Sequence, residues 1–94
     1  KKGRVRFRYH GTPARREKSF HPRGIVTDDL SQIIVVDIKN NCLPILDQNG
    51  QFLRCVDDCG LKDPWGLSVD SEGRLWVGSW KSGEINVIEY LQNK

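Results

Sequence analysis

The chain has 94 residues, a formal net charge of +3 and a hydrophobic content of 37%, enough for one small domain. Its longest unbroken apolar run is Ile33-Ile34-Val35-Val36, far too short for a membrane span or the apolar core of a signal peptide, so a soluble, cytoplasmic protein without a membrane partner is expected. Cys42, Cys55 and Cys59 form no Cys-x-x-Cys pair and His10 and His21 lie outside zinc-ligand spacing from them, which argues against a zinc centre and favours reduced thiols over a disulfide framework.

In chain order, residues 2–9 alternate, with Val5, Phe7 and Tyr9 on one face and Arg4, Arg6 and Arg8 on the other, the pattern of a half-exposed strand. This stretch parallels residues 49–56, so it is predicted to be an outermost strand, followed by a basic loop over residues 11–19. Residues 24–27 form a first strand, and Asp28-Asp29-Leu30-Ser31 turns the chain into a second over residues 32–37, whose non-alternating apolar run predicts cover on both faces. Lys39-Asn40-Asn41 leads to a third strand over residues 42–47. Gln48-Asn49-Gly50 supplies the positive φ values of a tight hairpin before a fourth over residues 51–56. Pro44 deletes a ladder hydrogen bond, so it is expected where its missing N–H faces no partner, or at a bulge.

The pattern then recurs. Residues 20–47 overlie residues 62–89 without gaps at an offset of 42, with Pro22, Gly24, Asp28, Val35 and Lys39 identical to Pro64, Gly66, Asp70, Val77 and Lys81. Strands are predicted over residues 66–70, 74–79 and 84–90, with no fourth to cover the edge at Ile85 and Val87. Trp76, opposite Ile34 in the repeat, is expected in the core. A period of about 40 to 45 residues built from short strands is that of propeller blades, each a small sheet buried only against its neighbours. The fold expected is therefore all-β: a partial β-propeller of about two four-stranded antiparallel blades plus one outer strand of the preceding blade. Residues 1–19 would hold that strand and the basic loop, 20–60 one blade, and 61–94 a final blade lacking its fourth strand. With no methionine anywhere, the chain reads as a piece of a larger ring, whose remaining blades are its first partners. Alone it is expected to be poorly folded or to associate through its edges.

Several stretches resemble the NHL repeat: Pro22-x-Gly24-Ile25-x-x-Asp28, an aliphatic strand ending at Asp37, Asn40-Asn41, and Leu46-Asp47-x-x-Gly50-x-Phe52-Leu53. Together with GRVRFRYHG (residues 3–11) and PWGLSVD (residues 64–70), they look like the carboxy-terminal blades of tripartite-motif proteins. Pro44, Ser79 in place of an aspartate, and Trp80 depart from the pattern. The resemblance covers residues 3 to about 91. It implies a six-bladed propeller that presents proteins or structured RNA to a ubiquitin-ligase module, whose zinc-binding cysteine and histidine array is absent from these residues.

Charge is split along the chain. Residues 1–24 hold nine Lys/Arg against Glu17, a net +8, and the remainder sums to −5, which suits a polyanion-facing patch or a charge match within a larger protein. On the disc face formed by loops that enter the innermost strands and join the second to the third, the candidate binding residues are Arg15, Arg16, Lys18, His21, Arg23, Lys39, Asn40, Asn41, Trp65, Trp80 and Lys81. Cations with tryptophan suit RNA, by phosphate neutralisation and base stacking, and equally suit a protein partner. Trp65 and Trp80 also suit packing between blades. No catalytic residues, metal or cofactor are expected. Asp28, Asp37, Asp47 and Asp70 stand at strand ends, Asp28 and Asp70 at one position of the repeat, and read as turn caps. The leading reading is a non-catalytic protein- or RNA-recognition fragment, the substrate-recruiting end of a tripartite-motif ubiquitin ligase. The alternatives are blades that only close the ring, or a fragment of a metal-dependent propeller enzyme.

Overall fold

A computed structural model describes residues 3–11, 22–37, 42–56, 64–79, 81 and 83–91. Seven strands follow in order: β1 (Pro22–Thr27), β2 (Ile33–Asp37), β3 (Leu43–Leu46), β4 (Phe52–Val56), β5 (Pro64–Val69), β6 (Arg74–Ser79) and β7 (Ile85–Glu89). They make two antiparallel sheets, β1-β2-β3-β4 and β5-β6-β7, each in sequence order. The described residues are thus all-β, with one sheet of four strands and one of three. No helix among them is long and apolar enough to cross a membrane.

One turn, used three times, sets the strand spacing. Asp28 Oδ1 accepts from the N–H groups of Leu30 and Gln32, Asp47 Oδ1 from Asn49 and Gln51, and Asp70 Oδ1 from Glu72 and Arg74, all at 2.8–3.0 Å. These carboxylates satisfy the turn donors that the ladder leaves open. The last turn residue adopts positive φ in each case: 62° at Ser31, 85° at Gly50 and 78° at Gly73. Glycine takes that conformation without steric cost and serine does not. Ser31→Gly should therefore raise the unfolding free energy by about 0.5–1 kcal/mol, seen as a higher urea midpoint at unchanged m-value; a lower midpoint would contradict it.

Between the Ile34–Ile45 pair and a lone Asp37–Cys42 bridge, the β2–β3 ladder lapses. Pro44, which has no N–H to give, sits in that lapse, and the β3–β4 register shifts just beyond it, between Ile45 and Leu46. Cys42 is buried and Cys55 half-buried, and Cys59 lies outside the described residues.

The core lies between the sheets. Ile34 and Val36, with Leu43, Ile45 and Val56, meet Leu75 and Val77 and the ring of Tyr90, and each aliphatic side chain so buried contributes about 1.5–3 kcal/mol. In the 42-residue repeat Leu75 and Val77 correspond to Ile33 and Val35 rather than to Ile34 and Val36. The second sheet therefore offers the opposite face of its middle strand, and the sheets stack front to back. Ile34, Val35 and Val36 are all buried, in line with the two-sided cover expected of β2.

One sequence expectation fails. Trp76 is 42% exposed rather than in the core, because its face of the second sheet is the one that in the first packs on a following sheet, and none follows among the described residues. Residues 3–11 are not paired into either sheet; they are expected to be the outer strand of a preceding blade that is not among the described residues, and a chain becomes a strand only where a neighbour completes its hydrogen bonds. Instead the Phe7 ring rests on Gly50, where a built Cβ would overlap it.

Candidate functional site

Two ends of the sheet pair carry polar chemistry. At the first, β1 and β5 run side by side, and each opens with Pro-x-Gly. Both have a register shift at the opening, between Pro22 and Ile25 and between Pro64 and Gly66. Such a bulge re-aims the side chain it contains, and here it turns Arg23 and Trp65, equivalents in the repeat, toward each other. The Arg23 Cζ lies 5.1 Å from the centroid of the Trp65 ring, a cation–π contact of about 0.5–1 kcal/mol at an exposed site. Arg23 is exposed and Trp65 is 46% exposed, so neither is spent on the core.

Of the other candidate binding residues, Lys81 is exposed in the turn between β6 and β7. Arg15, Arg16, Lys18, His21, Lys39, Asn40, Asn41 and Trp80 lie outside the described residues. The structure thus brings together Arg23 and Trp65.

At the other end, a cleft of about 260 Å³ opens between the Asp28 and Asp70 turns, floored by Val69, Tyr90 and Leu91 and rimmed by Asp29, Leu30 and Glu72. Asp28 and Asp70 are committed to structure. Asp28 Oδ2 accepts the Tyr90 hydroxyl at 2.6 Å, while Asp70 Oδ2 accepts both Trp76 Nε1–H and Arg74 Nε–H at 2.9 Å. The Trp76 indole donor, the Arg74 and Glu72 backbone donors and the Arg74 guanidinium hold the Asp70 carboxyl well below the usual carboxylate range, so it stays ionised and is unsuited to proton transfer. Burial first, and then the hydrogen bond to Asp28, push the Tyr90 phenol well above its ordinary range. Among the described residues no group of three or more His, Cys, Asp or Glu is arranged to hold a metal ion.

Sequence reasoning located Asp28 and Asp70 as turn caps but missed their second partners. The Tyr90–Asp28 bond spans 62 residues and has no local signature. The Asp70–Trp76 bond was within reach, since alternation along a hairpin places Trp76 on a definite face of β6. The sequence matches no family model and no curated protein.

Proposed function

We propose that the chain is a non-catalytic recognition module of an NHL-type propeller, the substrate-recruiting end of a tripartite-motif-like ubiquitin ligase, and that its ligand is single-stranded or structured RNA. The observation that carries this reading is the exposed Arg23–Trp65 pair at the openings of the two adjacent inner strands. A guanidinium held over an indole offers a fixed positive charge beside an open aromatic surface, the combination that neutralises a phosphate while a splayed base stacks alongside. Residues 1–24 also carry a net +8 in sequence, the sign of charge that polyanion binding needs. The NHL-like motifs support the propeller and ligase setting.

The test is fluorescence anisotropy of the intact protein with labelled oligouridine across a salt series. Arg23→Ala should weaken binding about tenfold and reduce the salt slope by roughly one ion. Trp65→Ala should weaken it by about 1–3 kcal/mol and leave the slope nearly unchanged, because stacking releases no counterions. Affinity and slope unaltered in both variants would sink the RNA reading.

A further inference from the structure

The cleft between the Asp28 and Asp70 turns is apolar at its floor and acidic at its mouth. Val69 and Tyr90 floor it together with Leu91, which packs on the second turn at Gly73, where a built Cβ would come within 2.7 Å of the leucine Cδ1. Leu30, 63% exposed, carries the apolar surface onto the rim. The two turns share one backbone but differ at their tips, with Asp29-Leu30 on the first and Ser71-Glu72 on the second. Each wall therefore brings one exposed carboxylate to the mouth, Asp29 on one side and Glu72 on the other.

The charges around this floor do not cancel. Asp28, Asp29, Asp70 and Glu72 line the cleft, and no lysine, arginine or histidine does. Arg74, outside the lining, is joined to Asp70 at 2.9 Å and to Glu72 at 3.2 Å, which offsets one of the four. Asp28 and Asp70 use both carboxylate oxygens on partners within the chain, so they set the local field without being open to a ligand. The Asp29 carboxylate is engaged by no hydrogen bond or ion pair among the described residues, and Glu72 meets Arg74 through Oε1. A negative field over an apolar floor repels RNA and suits a cation on an apolar stem. We propose that the cleft receives an arginine side chain from a basic segment of a partner protein, with its methylenes on Leu30, Val69 and Leu91 and its guanidinium between Asp29 and Glu72.

Arginine suits the cleft better than lysine for two reasons. Its planar fork presents several N–H groups at once, so one head can engage carboxylates on both walls, whereas an ammonium is a compact point charge. It is also the more weakly hydrated cation and loses less on leaving water for a partly apolar site. The volume of about 260 Å³ is smaller than one turn of helix, roughly 420 Å³ for a 5.4 Å length of a 10 Å cylinder, so a single side chain enters and not a folded element. Arg23 and Trp65 lie at the opposite end of the sheets, and occupancy of the cleft is independent of any RNA bound there.

Fluorescence anisotropy of the intact protein with a fluorescein-labelled Ala-Ala-Leu-Arg-Leu-Ala-Ala peptide at low salt tests the proposal. The same peptide with citrulline, which keeps the shape of arginine and removes its charge, should bind about tenfold more weakly, and the lysine peptide about threefold. Asp29→Asn and Glu72→Gln should each weaken the arginine peptide about threefold, and Leu30→Ser by a similar factor. All three side chains are exposed, so the urea midpoints of these variants should match the parent. Glu84→Gln removes an equal charge from the opposite end, where Glu84 accepts from Ser79 and Ser79 pairs with Pro64, and should leave peptide binding unaltered. No binding by the parent protein, equal binding of the citrulline peptide, or an equal loss in Glu84→Gln would overturn the proposal, the last by reducing the attraction to net charge.

Discussion

Tyr90→Ala should lower the unfolding free energy by about 3–5 kcal/mol, the range for truncating a buried aromatic side chain. Tyr90 is 3% exposed and belongs to the core cluster that the two sheets share. It also ties the sheets together by hydrogen bonds at both ends: its hydroxyl donates to Asp28 in the β1–β2 turn, and its backbone carbonyl accepts from the Arg54 guanidinium on β4. Small domains are stable by only about 5–15 kcal/mol in total, and two small stacked sheets belong at the low end, so the variant should be largely unfolded at 25 °C. Tyr90→Phe keeps the ring and loses the phenolic bond. It should cost about 1–2 kcal/mol, since hydrogen bonds to charged groups are worth more than neutral ones but Asp28 remains within reach of water. Urea denaturation followed by tryptophan fluorescence measures both, and parental midpoints would mean that the sheets cohere without the clasp.

Burial of the Tyr90 phenol, and after it the bond to Asp28, give a pH signature. The folded-state pKa of Tyr90 is raised, so its contribution is complete below the ordinary tyrosine value near 10 and is lost as pH rises through the higher folded value. Alkaline destabilisation should begin above about pH 10, and Tyr90→Phe should remove that component. Asp70 has the opposite sign. Its folded pKa is lowered, so its contribution is present above the ordinary aspartate value near 4 and fades as pH falls below it.

The strands were legible because turns punctuate them. Asp28-x-x-Ser31, Asp47-x-x-Gly50 and Asp70-x-x-Gly73 each combine a side-chain acceptor with a residue that takes positive φ, and the strands begin and end within about two residues of those signals. The stacking of the sheets was legible only as a consequence of the repeat, and its direction was not. Ile34 and Trp76 occupy one repeat position, yet one is buried and the other 42% exposed, since burial depends on the neighbouring sheet and not on the pattern within a strand. Residues 3–11 make the same point about pairing, for Val5, Phe7 and Tyr9 alternate as well as any strand in the chain. Arg23 and Trp65 were each marked as candidates, but their contact needed the bulges at both strand openings. Neither bulge is encoded by more than a Pro-x-Gly.

Gly24→Ala and Gly66→Ala should differ, although the two glycines occupy one position of the repeat. A Cβ at Gly24 would lie 3.1 Å from the Trp65 carbonyl oxygen and 3.6 Å from both Leu67 Cβ and Val36 Cγ2. The tightest of these contacts is with backbone in β5, which yields only if the two inner strands separate, and they are joined by the core itself. Gly24→Ala should therefore cost about 1–3 kcal/mol by overpacking, and Gly24→Val more. At Gly66 nothing lies within 4 Å of the same Cβ, because among the described residues no further strand runs beside β5 as β5 runs beside β1, and the substitution should be near neutral. Equal midpoint losses at the two positions would show that the glycines act through strand propensity, and the close approach of β1 to β5 would then explain neither.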